Sequence, residues 1–189
     1  VSSRNFLTNS SGAMDGARDF LEAFRERRRK RPWAYLHGPT GNGKSFLAVA
    51  ILRELLESGD VAPNDACWVN AEMLLLRIEE SYDRTGTSAF QVIDRFAAYE
   101  LLVVDDLGVR GFHKDHPRRM VYNLANERGG RPTIWTSNLS LSDLEAENPE
   151  MDRIVSRILE WCGPGAPFVF EFTGQDRRAA QSAGEAEDS

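Results

Sequence analysis

Eight consecutive residues, Gly38-Pro39-Thr40-Gly41-Asn42-Gly43-Lys44-Ser45, match G-x-x-x-x-G-K-[ST] in full. Glycines at 38, 41 and 43 let the backbone curl until successive N–H groups point inward at phosphate oxygens, and a helix beginning at the end of the loop adds partial positive charge. Lys44 would reach the β- and γ-phosphates of a nucleotide, and the Ser45 hydroxyl would ligate Mg²⁺. The flanks are those the mechanism needs. Trp33-Ala34-Tyr35-Leu36-His37 suits a buried strand, and Phe46-Leu47-Ala48-Val49-Ala50-Ile51-Leu52 opens a long helix. A glycine-rich turn matching by chance would require neither flank, so the stretch reads as a nucleotide-binding loop.

Such a loop names a ligand and leaves the reaction open; Asp105 and Asp106 narrow it. Leu101-Leu102-Val103-Val104-Asp105 is an apolar run of the kind buried on both faces of a sheet. Asp105 then emerges at the C-terminal edge, where open α/β sheets bind ligands, and can hold the Mg²⁺ shared with Ser45. Asp106, one residue on, can face the γ-phosphate and take a proton from water. A plain turn is the competing reading for two adjacent carboxylates. Asn138 follows the run Thr133-Ile134-Trp135-Thr136 at the same edge. It could orient the attacking water, or be an ordinary turn residue before the next helix. Arg153 and Arg157, four apart on one helix face, are either surface cations paired with neighbours such as Glu150 or Glu160, or a guanidinium offered to a γ-phosphate across a subunit interface. His113 and His116 lack a convincing third ligand and read as surface residues.

These residues need a parallel sheet to bring them together, and the chain alternates strands and helices accordingly. An amphipathic helix carries Ala17, Phe20, Leu21 and Phe24 and runs into the basic stretch at residues 25–31. That stretch is either a solvated helix end or a contact to a phosphate backbone. Strands are expected at 33–37, 66–70, 101–105, 132–136 and 167–172. Helices are expected after the loop to about Ser58, from Ala71 to about Tyr82, over 88–99 and 118–128, and from Pro149 to Trp161. Gly59 is a plausible left-handed cap, and Ser140 with Asp143 forms a capping box. The expectation is an α/β fold of three layers around a central parallel sheet. Residues 1–16 read as an N-terminal linker, 17–178 as one ATPase domain, and 179–189 as a disordered acidic tail.

The bulk numbers agree: 189 residues, 41% hydrophobic and 28% charged, fit one ordinary globular domain. A net charge of -6 makes any nucleic-acid contact a local affair. Cys67 and Cys162 lack zinc spacing and read as buried thiols of a reducing compartment. No apolar run approaches the ~20 residues of a membrane helix. The expectation is a cytoplasmic protein without membrane association and, since no methionine precedes Val1, a piece of a longer one.

Together with the phosphate loop, Leu102-Val103-Val104-Asp105-Asp106-Leu107-Gly108, Pro132-Thr133-Ile134-Trp135-Thr136-Ser137-Asn138-Leu139-Ser140 and Asp152-Arg153-Ile154-Val155-Ser156-Arg157-Ile158 resemble the DnaC/IstB-like branch of the AAA+ ATPases. The closing Phe170-Glu171-Phe172-Thr173-Gly174-Gln175-Asp176-Arg177-Arg178 fits as well. The resemblance covers about residues 6–178. It implies a P-loop NTPase with an AAA+ core that lacks the C-terminal helical lid and hydrolyses ATP with Mg²⁺. It makes Asn138 the sensor-1 residue and Arg157 the finger acting on a neighbour's ATP in a homo-oligomer, with Arg153 the lesser candidate. It implies a replicative helicase or a transposase as partner. It also places a contact to single-stranded DNA in residues 72–99, where Arg77, Arg84 and Arg95 are the cations and Glu79, Glu80 and Asp83 oppose them. No counterpart of the loaders' N-terminal helicase-binding domain is seen. A small P-loop kinase would need an arginine-rich lid and an acceptor pocket, and a GTPase an N-K-x-D motif; the sequence offers none of these. A module that holds ATP without hydrolysing it is the remaining alternative, and Asp105 and Asp106 argue against it.

Overall fold

The computed structural model describes residues 11–26, 32–83, 88–108, 115–147, 151–165 and 167–173. In chain order its elements are α1 (Ser11–Glu26), β1 (Ala34–His37), α2 (Lys44–Glu57), β2 (Ala66–Asn70), α3 (Ala71–Asp83), α4 (Ala89–Ala98), β3 (Leu101–Leu107), α5 (Asp115–Glu127), β4 (Thr133–Ser137), α6 (Leu141–Glu147), α7 (Asp152–Cys162) and β5 (Val169–Glu171). The strands form one sheet in the order β2-β3-β4-β1-β5. Every neighbouring pair is parallel. All five strands therefore end at the same edge.

Parallel strands must be covered on both faces, because their crossovers lay helices there. Here α2 packs on β1, β3 and β4 with α1 beside it, while α3, α4, α5 and α7 form a second group resting on β1, β2 and β3. The layer between them holds Tyr35, Leu36, Leu102, Val103, Val104, Ile134 and Trp135, all fully buried. Trp33 closes the far end of the sheet, its ring stacked on Trp161 and its indole N–H donating to the Arg131 carbonyl at 2.7 Å. This is the three-layer α/β arrangement the alternating pattern predicts.

Local signals explain most boundaries. In α2, Leu47, Ala48, Ile51 and Leu55 are buried at helical spacing, and the helix ends where Gly59 adopts φ 75. Ser88 and Gln91 make a reciprocal capping box for α4, and Ser140 and Asp143 do the same at α6.

Three expectations change. The segment read as a linker to residue 16 is helical from Ser11, and Gly16 lets α1 lie directly on β5: a Cβ there would sit 2.2 Å from the Phe170 ring. The strand expected to close at Asp105 continues to Leu107. Cys67 is half-buried rather than buried, being on edge strand β2, whereas Cys162 is buried; burial raises the pKa of both thiols. The 27–31 basic run, Arg84, His113, Asn148-Pro149 and the 179–189 tail lie outside the described residues. Among the described residues no helix follows β5, and none is long and apolar enough to cross a membrane.

Candidate nucleotide site

Residues 38–45 connect the end of β1 to the start of α2, and three of them bend as a phosphate cradle requires. Gly38, Gly41 and Gly43 have φ of 136, 80 and 96. At Gly38 the need is also steric, because a Cβ would meet the Phe172 carbonyl oxygen at 2.2 Å. That same oxygen accepts the Asn42 side-chain amide at 3.2 Å, and the Phe172 N–H donates to the His37 carbonyl at 2.7 Å. The residue just past β5 thus buttresses the loop. Asn42 enters as a ligand-side residue from the sequence; its side chain is turned inward to this buttress.

Gly43 is the N-cap of α2 and brings no side-chain acceptor to the first turn. The start of α2 carries the partial positive charge of a helix N-terminus, which favours an anion. Lys44 is buried, and its ammonium donates to the carbonyls of Gly38 at 2.7 Å and Pro39 at 2.8 Å. These bonds lay the charge along the loop's rim. Pro39 and Thr40 are exposed. His37, just below the loop, has its pKa lowered by burial; Glu171 and Asp143 oppose this shift and Lys44 adds to it.

β3 delivers the second half. The Ser45 hydroxyl donates to Asp105 Oδ1 at 2.8 Å, and Thr136 on β4 donates to the same oxygen. Ser45 and Asp105 are hard oxygen donors of the kind a Mg²⁺ takes one or two of, filling its other positions with phosphate and water. Among the described residues no cluster of three or more His, Cys, Asp or Glu is gathered for a metal. Asp106 faces elsewhere: with φ 61, its Oδ2 accepts from Asn70 Nδ2 at 3.4 Å.

Asn70, the last residue of β2, was not singled out in the sequence. Its Nδ2 meets Asp106 while its Oδ1 caps α3 by accepting from the Glu72 N–H at 2.9 Å. A lone Asn at a strand end carries no signal of this double duty. Asn138 lies half-buried one residue past β4, between anchored neighbours. Ser137 Oγ donates to the Leu107 carbonyl at 2.7 Å, and the Tyr35 hydroxyl donates to the Leu139 carbonyl at 2.7 Å. The phosphate loop, Asp105, Asp106, Asn70 and Asn138 thus share one edge of the sheet.

Arg157 is not with them. It bonds Glu160 on its own helix, and Glu160 first and Tyr122 second raise its pKa. Arg153 is exposed. Within one chain Arg157 is paired as a helix cation and Arg153 is at the surface. Arg77 and Arg95 lie together in a cavity of about 310 Å³ between α3 and α4, with Ser81, Gln91 and Phe96. The Arg77 guanidinium sits 5.7 Å from the centre of the Phe96 ring.

A family model described as IstB-like ATP binding protein matches residues 28–161. The replicative helicase loader DnaC of Escherichia coli (strain K12) is 26% identical over 109 residues, covering 57% of this chain and 42% of the relative. The chain therefore matches less than half of that curated relative's length. A crystal structure of the DnaC helicase loader is similar at a TM-score of 0.70 and 23% identity, over 88% of this chain and 91% of that one. The replication initiator DnaA bound to AMPPCP and single-stranded DNA is similar at a TM-score of 0.65 and 17% identity, over 84% of this chain and 46% of that one. The two structures share the fold, a P-loop NTPase of the AAA+ type. With well over half of its residues inside the family match, the chain belongs to the IstB-like ATP-binding proteins, the DnaC/IstB-like branch of the AAA+ family.

Proposed function

We propose that this chain is an ATP-hydrolysing nucleotide switch that acts in helicase loading and touches single-stranded DNA. The observation that carries the hydrolytic part is the divergence of two adjacent carboxylates. Asp105 is bonded to Ser45 of the phosphate loop, and Asp106 is turned towards Asn70. Bound at Ser45 and Asp105, Mg²⁺ would neutralise phosphate charge. Lys44 and the N–H groups of residues 40–45 hold the phosphates, Asp106 accepts the proton of the attacking water, and Asn138 orients that water.

Hydrolysis in this reading needs a second copy. Arg157 is bonded at its own chain's surface, and in this reading it serves a neighbouring subunit's nucleotide when chains assemble side by side. The DNA contact draws on Arg77 and Arg95, two cations that line one cavity and suit a phosphate backbone, with Glu80 of the same cavity opposing them.

ATP turnover measured against chain concentration, with and without single-stranded DNA, tests the reading. The rate per chain is expected to rise with concentration and to vanish in Lys44→Ala. A wild-type rate no higher than that of Lys44→Ala would leave only an ATP-holding module. The resemblance also admits a transposase as partner. Capture of a replicative helicase rather than a transposase by the full chain is the expected outcome.

A further inference from the structure

β3 and β4 run in register as far as Val104 opposite Trp135 and resume with Leu107 opposite Ser137. Two residues of β3, Asp105 and Asp106, therefore face one residue of β4, Thr136. Such a bulge interrupts the ladder and re-aims the side chains of the strand that carries it. At this bulge Asp106 takes φ 61, the left-handed region that is uncommon for residues other than glycine and that aspartate tolerates better than most.

Thr136 is fully buried, and its hydroxyl is engaged in both directions. It donates its hydrogen to the Asp105 carboxylate and accepts the Asp106 N–H at 3.0 Å. A hydroxyl has one hydrogen and two lone pairs, so one group can serve both neighbours at once. The backbone of β4 cannot substitute, because the bulge has already broken the ladder there. Valine would fill the same space and serve neither aspartate; serine would serve both with one methyl fewer.

We propose that Thr136 is a positioning residue for hydrolysis, its hydroxyl holding the bulge that keeps Asp105 on Ser45 and turns Asp106 away from it. This rests on the reading of Asp106 as the base. Without the hydroxyl the two carboxylates no longer have fixed and separate directions, while the phosphate loop, built on β1, α2 and Phe172, is untouched. The loss therefore falls on the chemical step and on the Mg²⁺-dependent part of nucleotide affinity, and not on binding in the absence of Mg²⁺.

The test compares wild type, Thr136→Val and Thr136→Ser in the full chain by three measurements: amide hydrogen exchange at Asp106, kcat for ATP, and affinity for AMPPCP in EDTA. Thr136→Val is expected to speed exchange at the Asp106 amide at least about tenfold. It is also expected to lower kcat about tenfold or more, with AMPPCP affinity measured in EDTA within about threefold of wild type. Thr136→Ser is expected to restore both exchange and kcat. Unchanged Asp106 exchange in Thr136→Val overturns the proposal, as does a serine variant as impaired as the valine one. If Thr136→Val loses its cooperative unfolding transition, the serine variant decides: wild-type exchange and kcat uphold the role, and a tenfold loss in either removes it. Should Asp106→Asn hydrolyse ATP as fast as wild type, the reading of Asp106 as base falls. The exchange measurement then decides alone whether Thr136 holds the bulge.

Discussion

Ser45 and Asp105 stand 60 positions apart in the chain and meet at 2.8 Å. The contact spans from the first turn of α2 to the C-terminal half of β3, with β4 lying between β1 and β3. It ties the phosphate loop to the carboxylate that would share its Mg²⁺. Asp105→Asn separates the two roles of that carboxylate, since an amide oxygen can still accept from Ser45 but carries no charge. The variant is expected to bind ATP as wild type does in EDTA and to lose most of the Mg²⁺-dependent gain in affinity, about tenfold or more. Titration calorimetry with and without Mg²⁺ reads this directly. An undiminished Mg²⁺ gain would remove Asp105 from the metal.

Lys44 is buried with its ammonium on the carbonyls of Gly38 and Pro39. Truncation removes both the charge offered to phosphate and two bonds that shape the loop. A charge-assisted hydrogen bond is worth about 1.5–3 kcal/mol, so Lys44→Ala should weaken ATP binding by at least about tenfold. Unaltered affinity in an equilibrium binding measurement would sink the phosphate-loop assignment.

The parts of this site that were legible in the sequence are those written in local pattern. The glycines of residues 38–45, the unbroken apolar run before Asp105 and the aromatic run ending at His37 each announce an element by themselves. Contacts between distant elements leave no such trace. That Asp105 and Asp106 together face Thr136 depends on the register of two strands, and two adjacent aspartates read the same in or out of a bulge. Asn70 owes its place to its neighbour β3, and α1 its close seat on β5 to the glycine that lets Phe170 approach. Arg128, read from sequence as the last residue of a helix, is fully buried by contacts some thirty residues away.

Arg157 is held by Glu160 and Tyr122 within its own chain. An exposed pair of this kind contributes little to stability, so Arg157→Ala should fold and bind ATP as wild type does. The expected loss is confined to the rise of hydrolysis with chain concentration. Following the rate per chain across a hundredfold dilution series, beside sedimentation of the same samples, checks this. An undiminished rise would exclude Arg157 as a group acting on a neighbour's nucleotide.

Asn70 joins Asp106 to the first turn of α3, and two substitutions separate those functions. Asn70→Asp keeps an acceptor for the Glu72 N–H, so the cap survives, but it sets a second carboxylate against Asp106. Asn70→Ala loses the cap as well, at a cost of about 1 kcal/mol. Both are expected to hydrolyse ATP more slowly, with Asn70→Asp the more stable of the two by thermal unfolding. Full hydrolysis in Asn70→Asp would show that the 3.4 Å contact plays no part in turnover.

Arg128 offers the sharpest test of what holds the sheet's other end together. Its guanidinium is fully buried and, among the described residues, bonds neutral acceptors: the carbonyls of Phe96, Ala97, Tyr99 and Pro132 and the hydroxyl of Thr133. Burial first and the nearby Arg131 second pull its pKa down to about 9, so it remains protonated at neutral pH. Burying such a charge is costly, and replacing buried ions with apolar residues is often neutral. Here the balance differs, because two of the acceptors belong to the last turn of α4, where carbonyls have no partner within the helix. Arg128→Met would strand several buried carbonyls at about 1–3 kcal/mol each if they stay dry. A net loss of about 3 kcal/mol corresponds to a fall in Tm of roughly 6–12 °C for a domain of this size. Arg128→Lys, with three donors in place of five, should recover only part of it. Because Arg128 serves the start of β4 while Asn138 lies beyond its end, ATP affinity below the transition should be unchanged. A methionine variant melting within 2 °C of wild type would mean that water or rearrangement satisfies those carbonyls and that the buried arginine is dispensable to the fold.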